Sequence, residues 1–352
     1  MIDRFAAVSM TARGIVAAAQ GQIDSMTLRR MLIAIAGFWM FAAAVTGYAQ
    51  TNVAAPRIVW VSNLGEQQNQ SFKASFLDGM RQAGQVEGRT FQLVVRHASG
   101  DPGRAVALIR ETVAERPAVI VVTGLTNARV AHDATKTIPI VVGTSSDLVD
   151  AGIVKSYARP GGNITGVSDL ADETAVKRLE LLKAALPNAS RVAVLLNPDF
   201  PATPKIESRV KAAADALRVT IIRVDARDRA SLARTLDAVG KLRPDALLAT
   251  DALAVANADE LIEQATALRV PVVHLWPGTV ERGALFSYQA DVTDNFRRAA
   301  GYVDKILNGA NPGDLPIFQP TRYELVVNAK VARAFGLTLA PTFLGRADRV
   351  ID

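Results

Sequence analysis

The sequence predicts an α/β protein of two doubly wound, Rossmann-like lobes joined by three crossovers. Three observations carry this. Short apolar runs with strand character start near residues 57, 91, 118 and 139, and again near 191, 220, 245 and 270. Their separations of roughly 20 to 35 residues are those of βα units, and two four-strand blocks of this kind mean two parallel sheets with helices on both faces. The remainder after residue 280 holds too few strands and helices for a core of its own, so it must complete the two lobes already begun.

Each element has a local reason. Arg57 to Val61 is a β-rich run, followed by a helix with Phe72, Phe76 and Met80 four residues apart. Phe91 to Arg96 is the next strand. Asp101-Pro102 starts a helix as N-cap plus first-turn proline, and Arg116-Pro117 closes it. Ala118 to Val122 is continuously apolar, as a strand buried on both faces should be. A helix begins near Thr126, and Ile138 to Val142 is the fourth strand.

The segment Ala158-Arg159-Pro160-Gly161-Gly162-Asn163-Ile164-Thr165-Gly166-Val167 separates the two blocks and reads as the first crossover. Proline and paired glycines make a turn that can absorb the rotation of two rigid bodies. The rhythm then restarts. Val176, Leu179, Leu182 and Leu186 line one helical face, Arg191 to Leu196 is a strand, and Ile206, Val210, Ala213 and Leu217 face inward from the next helix. Strands follow at Thr220 to Val224, Asp245 to Ala249 and Val270 to Leu275, with helices around Leu232 to Val239 and Leu261 to Leu268.

Further on, Ala284 to Tyr288 is a strand, Phe296, Ala300, Val303 and Leu307 mark a helix, and Tyr323 to Val327 is another strand. The economical path crosses back near Ser287, adds that helix to the first lobe, and crosses again near Thr321. Residues 56–162 and 289–319 then form the N-terminal lobe, and 163–288 and 320–352 the C-terminal lobe. The expected hinge residues are Gly161, Gly162, Asn163, Ser287 and Thr321.

The N-terminus reads as an address. Arg29 and Arg30 precede an apolar run from Met31 to Val45, and Gly47-Tyr48-Ala49 supplies small residues where a signal peptidase reads. The run is shorter than the roughly 20 residues of a membrane-spanning helix. Residues 26–49 are therefore expected to be a cleaved signal, with residues 1–25 an upstream extension and Met26 the start. The absence of Cys excludes a lipid-anchored export signal, a disulfide, a thiolate nucleophile and a zinc–thiolate site. A net charge of +6 with dispersed Lys and Arg gives no nucleic-acid face.

Ligands of open parallel sheets sit beyond the carboxyl ends of the strands. Those ends supply Ser62, Asn63, Thr123, Gly124, Thr126, Asn127, Thr144, Ser145 and Asp147 from the first lobe. The second supplies Asn197, Asp199, Thr250, Asp251, His274 and Trp276, with Tyr288 near the return crossing. Hydroxyls, amides, two or three carboxylates and two aromatics suit a small polar ligand held by hydrogen bonds and stacking. Gly124 allows close approach, and Thr126 can cap a helix whose free N–H groups point into the cleft, an end suited to a carboxylate or phosphate. Asp251 either receives a ligand ammonium or caps the helix after it; Trp276 and Tyr288 either stack on ligand or pack into the second lobe. No phosphate loop, nucleophile elbow or zinc-protease motif is present, and His97, His132 and His274 share no ligand spacing. No catalytic residue, metal or cofactor is expected.

Several runs together resemble the ABC transporter substrate-binding proteins, in the group that includes tryptophan- and tyrosine-type binders. They are Asp78-Gly79-Met80-Arg81, Val86-Glu87-Gly88, Ser99-Gly100-Asp101-Pro102, the Ala158 to Gly166 segment, Lys177 to Leu182, Asn197-Pro198, Tyr302 to Leu307 and Gln319-Pro320-Thr321. The resemblance extends from Arg57 to Asp352. It implies a type I periplasmic binding fold that delivers solute to a membrane permease driven by an ATPase, acting in the periplasm as a monomer. By position it implies a cleft of Ser62, Thr123, Gly124, Ser145, Asp147, Asn197, Asp251, Trp276 and Tyr288. The chain departs from the family pattern at Asp147-Leu148, Trp276-Pro277-Gly278 and Ser287-Tyr288-Gln289, where Asp-Pro, Trp-Arg-Glu and Ser-Tyr-Gly are usual. A cleft Arg is thus missing at Pro277. The alternatives are a periplasmic sensor signalling to a membrane receptor, which neighbouring permease genes would exclude, and an α/β enzyme, which turnover of a bound ligand would reveal.

Overall fold

The computed structural model describes residues 54–169 and 171–352; the expected signal and cleavage site lie outside the described residues. Two sheets organise them. The first holds β1 (Arg57–Ser62), β2 (Gln92–His97), β3 (Val119–Thr123), β4 (Ile140–Thr144) and β5 (Ile164–Gly166) in the order β2-β1-β3-β4-β5, all parallel. Its helices are α1 (Glu66–Gln82), α2 (Pro102–Ala114) and α3 (Leu125–Ala134).

The second lobe begins with α4 (Ala171–Ala185), β6 (Arg191–Leu196), α5 (Thr203–Leu217), β7 (Thr220–Asp225) and α6 (Arg229–Leu242). It continues through β8 (Ala246–Ala249), the short α7 (Ala252–Ala256), α8 (Ala258–Ala267), β9 (Val272–His274) and β10 (Phe286–Ala290). After α9 (Val292–Leu307) come β11 (Tyr323–Asn328), α10 (Ala329–Ala334), α11 (Pro341–Leu344) and β12 (Arg349–Ile351), a strand the sequence reading missed. The strand order is β12-β11-β10-β9-β8-β6-β7, and β10–β11 is its one antiparallel pair.

That pair has a topological cause. Between β10 and β11 the chain leaves for the first lobe and comes back, so both strands meet the cleft at the same end of the sheet and must run opposite ways. The excursion carries α9, whose Phe296, Ala299, Ala300 and Val303 are fully buried in a cluster with Trp60, Phe72, Phe76 and Met80. Gly79 permits the approach: a Cβ there would lie 2.5 Å from the Arg297 carbonyl oxygen. Phe296 stacks on Trp60 at 4.5 Å and on Phe72 at 5.1 Å.

The crossovers sit differently from expectation. Gly161 donates its N–H to Gly313 (3.0 Å), and the Asn163 amide donates to the carbonyls of Thr135 and Ile138. These three residues turn the chain into β5, which pairs with β4, so the first lobe keeps the chain through Gly166. Ser287 is likewise inside β10, paired with Val326 and His274, and the return crossing falls at Ala290-Asp291, where Asp291 caps α9. Thr321 lies in the link between Phe318, bonded to Gly166 in the first lobe, and β11 in the second. A glycine turn and a lobe crossing share the same composition, and the pairing of β5 with β4 is what tells them apart.

Candidate functional site

The carboxyl ends of β1, β3 and β4 face those of β6, β8 and β9 across a cleft. It holds two adjoining cavities, of about 150 Å³ and about 130 Å³. They share Asn63, Gly124, Leu125, Phe200, Asp251 and Ala252. The inner cavity adds Thr123, Thr144, Ser145, Ser146, Asp169, Thr250 and Gln289 among apolar walls of Leu64, Phe72, Val255, Leu275, Trp276 and Val292. The outer one adds Gly100, Asp101, Pro102, Asn127, Asn197, Asp199, Arg227 and Ala256.

The lobes touch across this space. The Phe72 and Trp276 rings are 6.4 Å apart, and the Gln68 amide approaches the Ala256 carbonyl at 3.5 Å. On the flank, Lys205 of α5 joins Asp147 and Asp150 of the first lobe to Asp172 of α4.

The wall nearest the crossovers is built around Asp169, which is 5% exposed. Its carboxylate accepts from the Thr144 hydroxyl (2.6 Å) and the Gln289 amide (3.0 Å), and its N–H donates to Ser145. Burial outweighs these bonds and pushes its pKa up to about 6. Gln289 Oε1 and Ser145 Oγ, beside it, have no hydrogen-bond partner among the described residues. Behind lies Arg178, fully buried, donating to the Tyr288 carbonyl at 3.1 Å; burial lowers its pKa to about 10 and nearby Asp169 opposes the shift.

Gly124 links β3 to α3 at φ +90°, a backbone angle that favours glycine. It is itself the helix N-cap, so Thr126 stands within the first turn and does not cap it. Asp251 caps α7 through Leu253 and Ala254 and also accepts from the Asn197 N–H at 2.9 Å. Burial raises its pKa to about 6 against these three bonds. Its carboxylate therefore borders both cavities while tying β8 to β6.

Other residues expected in the cleft point elsewhere. Ser62 is fully buried and bonded to Asn69 of α1. Asp147 accepts from Val149, Asp150 and Tyr157, closing its own loop. Tyr288 stacks on Tyr323 at 5.5 Å against the second core. His274 is buried with its pKa lowered to about 3 by desolvation; its Nδ1 accepts from the Trp276 N–H, so it orients the tryptophan loop. Sequence reasoning missed Asp169, Gln289, Ser146, Phe72 and Phe200.

The family model described as ABC transporter substrate binding protein matches residues 65–351. The chain belongs to this family. The tyrosine-binding protein of Clostridioides difficile is 25% identical over 270 residues, covering 75% of this chain and 76% of the relative. A conserved domain protein of Vibrio cholerae superposes with TM-score 0.79 at 29% identity, covering 84% of this chain and 99% of its own. A Streptococcus pneumoniae domain solved in complex with L-Trp gives TM-score 0.76 at 23% identity over 84% and 100%. This substrate-binding protein thus shares its two-lobed fold with proteins that bind solutes and are not enzymes. Among the described residues no helix is long and apolar enough to cross a membrane.

Proposed function

We propose that this substrate-binding protein closes its lobes on an amino acid with an apolar or aromatic side chain and presents it to the permease of an ABC importer. The observation that carries the reading is the inner cavity's division of labour. A buried carboxylate, Asp169, sits beside the unpartnered Gln289 Oε1 and Ser145 Oγ at one wall, and Phe72, Trp276 and Leu275 supply the others. An ammonium group would meet Asp169 and Gln289 Oε1, and a carboxylate would accept from the Ser145 hydroxyl and the N–H groups opening α3. The side chain would lie against the aromatic rings. The relatives named for tyrosine and solved with L-Trp agree with that division. Binding to both lobes favours the closed form because only there are both sets of contacts made. Export by residues 26–49 and action in the periplasm belong to the same proposal.

Thermal-shift and calorimetric titration against the standard amino acids tests it, since binding to the folded state raises stability by mass action. One or more apolar or aromatic amino acids should bind with micromolar affinity or better. A protein that responds to none of them, but to a sugar or a nucleoside, would overturn the reading.

A further inference from the structure

The outer cavity has a side chain that a single amino acid in the inner one would leave idle. Asn127, in the first turn of α3, is 1% exposed and lines this cavity. Neither its Oδ1 nor its Nδ2 has a hydrogen-bond partner among the described residues. A buried amide without partners carries a desolvation cost that folding alone does not justify. Beside it, the first intrahelical bond of α3 runs from Ala128 N–H to Gly124 O, so the N–H groups of Leu125, Thr126 and Asn127 precede the hydrogen-bonded helix. Asn127 and this helix start together offer the cavity several donors and one acceptor, beside the carboxylates of Asp101, Asp199 and Asp251.

We infer that the outer cavity is a subsite for an amide unit, and that the full ligand is a dipeptide whose N-terminal residue is apolar or aromatic. The inference rests on the amino-acid reading of the inner cavity. A carboxamide both donates and accepts, as Asn127 does, so two planar amides can satisfy each other while α3 supplies further N–H groups to the peptide carbonyl. Orientation follows from which groups border which cavity. Asp169 and Gln289 border only the inner cavity, and Asn127 only the outer. An N-terminal ammonium held at Asp169 sends the carboxyl side of its residue past Gly124 toward Asn127. An extension on the amino side would instead remove the ammonium from Asp169.

The probes are L-tyrosine, L-tyrosyl-glycine and glycyl-L-tyrosine, titrated calorimetrically into the purified protein. Tyrosyl-glycine should bind about tenfold tighter than tyrosine, and glycyl-tyrosine no tighter. In Asn127→Ala, and in the more conservative Asn127→Ser, tyrosine and tyrosyl-glycine should bind equally. The ligand-free Tm of both variants should match or exceed that of the parent, because no bond is lost and an unsatisfied polar group is removed. If tyrosine binds but tyrosyl-glycine gains nothing, the subsite is wrong and the amino-acid reading stands. If no probe and no amino acid binds, both fall. A gain that survives in Asn127→Ala, or a ligand-free Tm lowered by several degrees in both variants, also overturns the inference.

Discussion

Phe72 of the first lobe and Trp276 of the second face each other at 6.4 Å and close the inner cavity between them. Phe72 is anchored from behind by Phe296, itself stacked on Trp60, so the first-lobe side is rigid. Trp276 is held on a loop by His274 and carries the Arg282 guanidinium 5.0 Å above its ring. The two rings form an aromatic clamp with one half from each lobe. Trp276→Ala should weaken amino-acid binding about tenfold, the scale of a lost aromatic contact plus its area. Calorimetry reads this directly, and an unchanged Kd would remove Trp276 from the site.

Lys205 makes a charged contact between lobes, reaching Asp147 of the first at 3.5 Å, with Asp150 closer still, while also pairing with Asp172 of its own lobe at 3.2 Å. It exists only when α5 lies against the loop after β4. Lys205 is a third exposed, so solvent screening limits its effect to about 0.5–1 kcal/mol. Lys205→Met should raise Kd two- to fivefold at low ionic strength. The difference should vanish near 0.5 M salt, where screening shortens to a few ångströms. Persistence of the full difference in high salt would show that packing of α5, not charge, is responsible.

Two glycines, one in α1 at the helix contact and one in α9 away from it, make opposite predictions. Gly79→Ala puts a Cβ against the backbone oxygen of Arg297 at 2.5 Å, where nothing can yield, and should cost about 1–3 kcal/mol by overpacking. A Cβ at Gly301, within α9, would meet nothing within 4 Å. Gly301→Ala should therefore gain about 0.5–1 kcal/mol of helix stability. Denaturant unfolding of the two variants in parallel checks the docking of α9 on the first lobe.

The architecture was legible because buried parallel strands are continuous apolar runs and their spacing leaves room for one helix each. The stripe Phe296, Ala300, Val303 also showed that α9 needs a lobe to bury against. The strand ends gave Asn63, Thr123, Gly124, Thr144, Ser145, Asn197, Asp251 and Trp276 as cleft-facing positions. Two kinds of residue escaped. Asp169 stands before a helix exactly as a capping Asp would, and Asp251 does cap; sequence gives the two the same appearance. On β10 the parity was wrong by one: Tyr288 and Gln289 point to opposite faces, and the glutamine meets the cavity. Asp147 was lost to its loop, whose N–H groups it binds more readily than a distant ligand could.

Asp169 gives the protein a pH signature with a definite sign. Its folded pKa of about 6 lies above the ordinary 3.8. The favourable contribution is fully present below the unfolded value and is lost as pH rises through about 6, on the order of 3 kcal/mol at most. His274 acts the other way, since its pKa lowered to about 3 leaves the unfolded chain binding protons first below about 6.5. The two trends separate in a difference measurement, because Asp169→Asn keeps His274. The variant also keeps an acceptor for Thr144 and Gln289. It should be more stable than the parent at pH 7.5, by a margin that shrinks steadily to near zero at pH 4. At pH 7.5 it should bind amino acids about 10- to 100-fold more weakly, the cost of a lost charge-assisted bond. A stability margin independent of pH would mean that Asp169 does not titrate in this range. Undiminished binding would mean that the ligand's ammonium lies elsewhere.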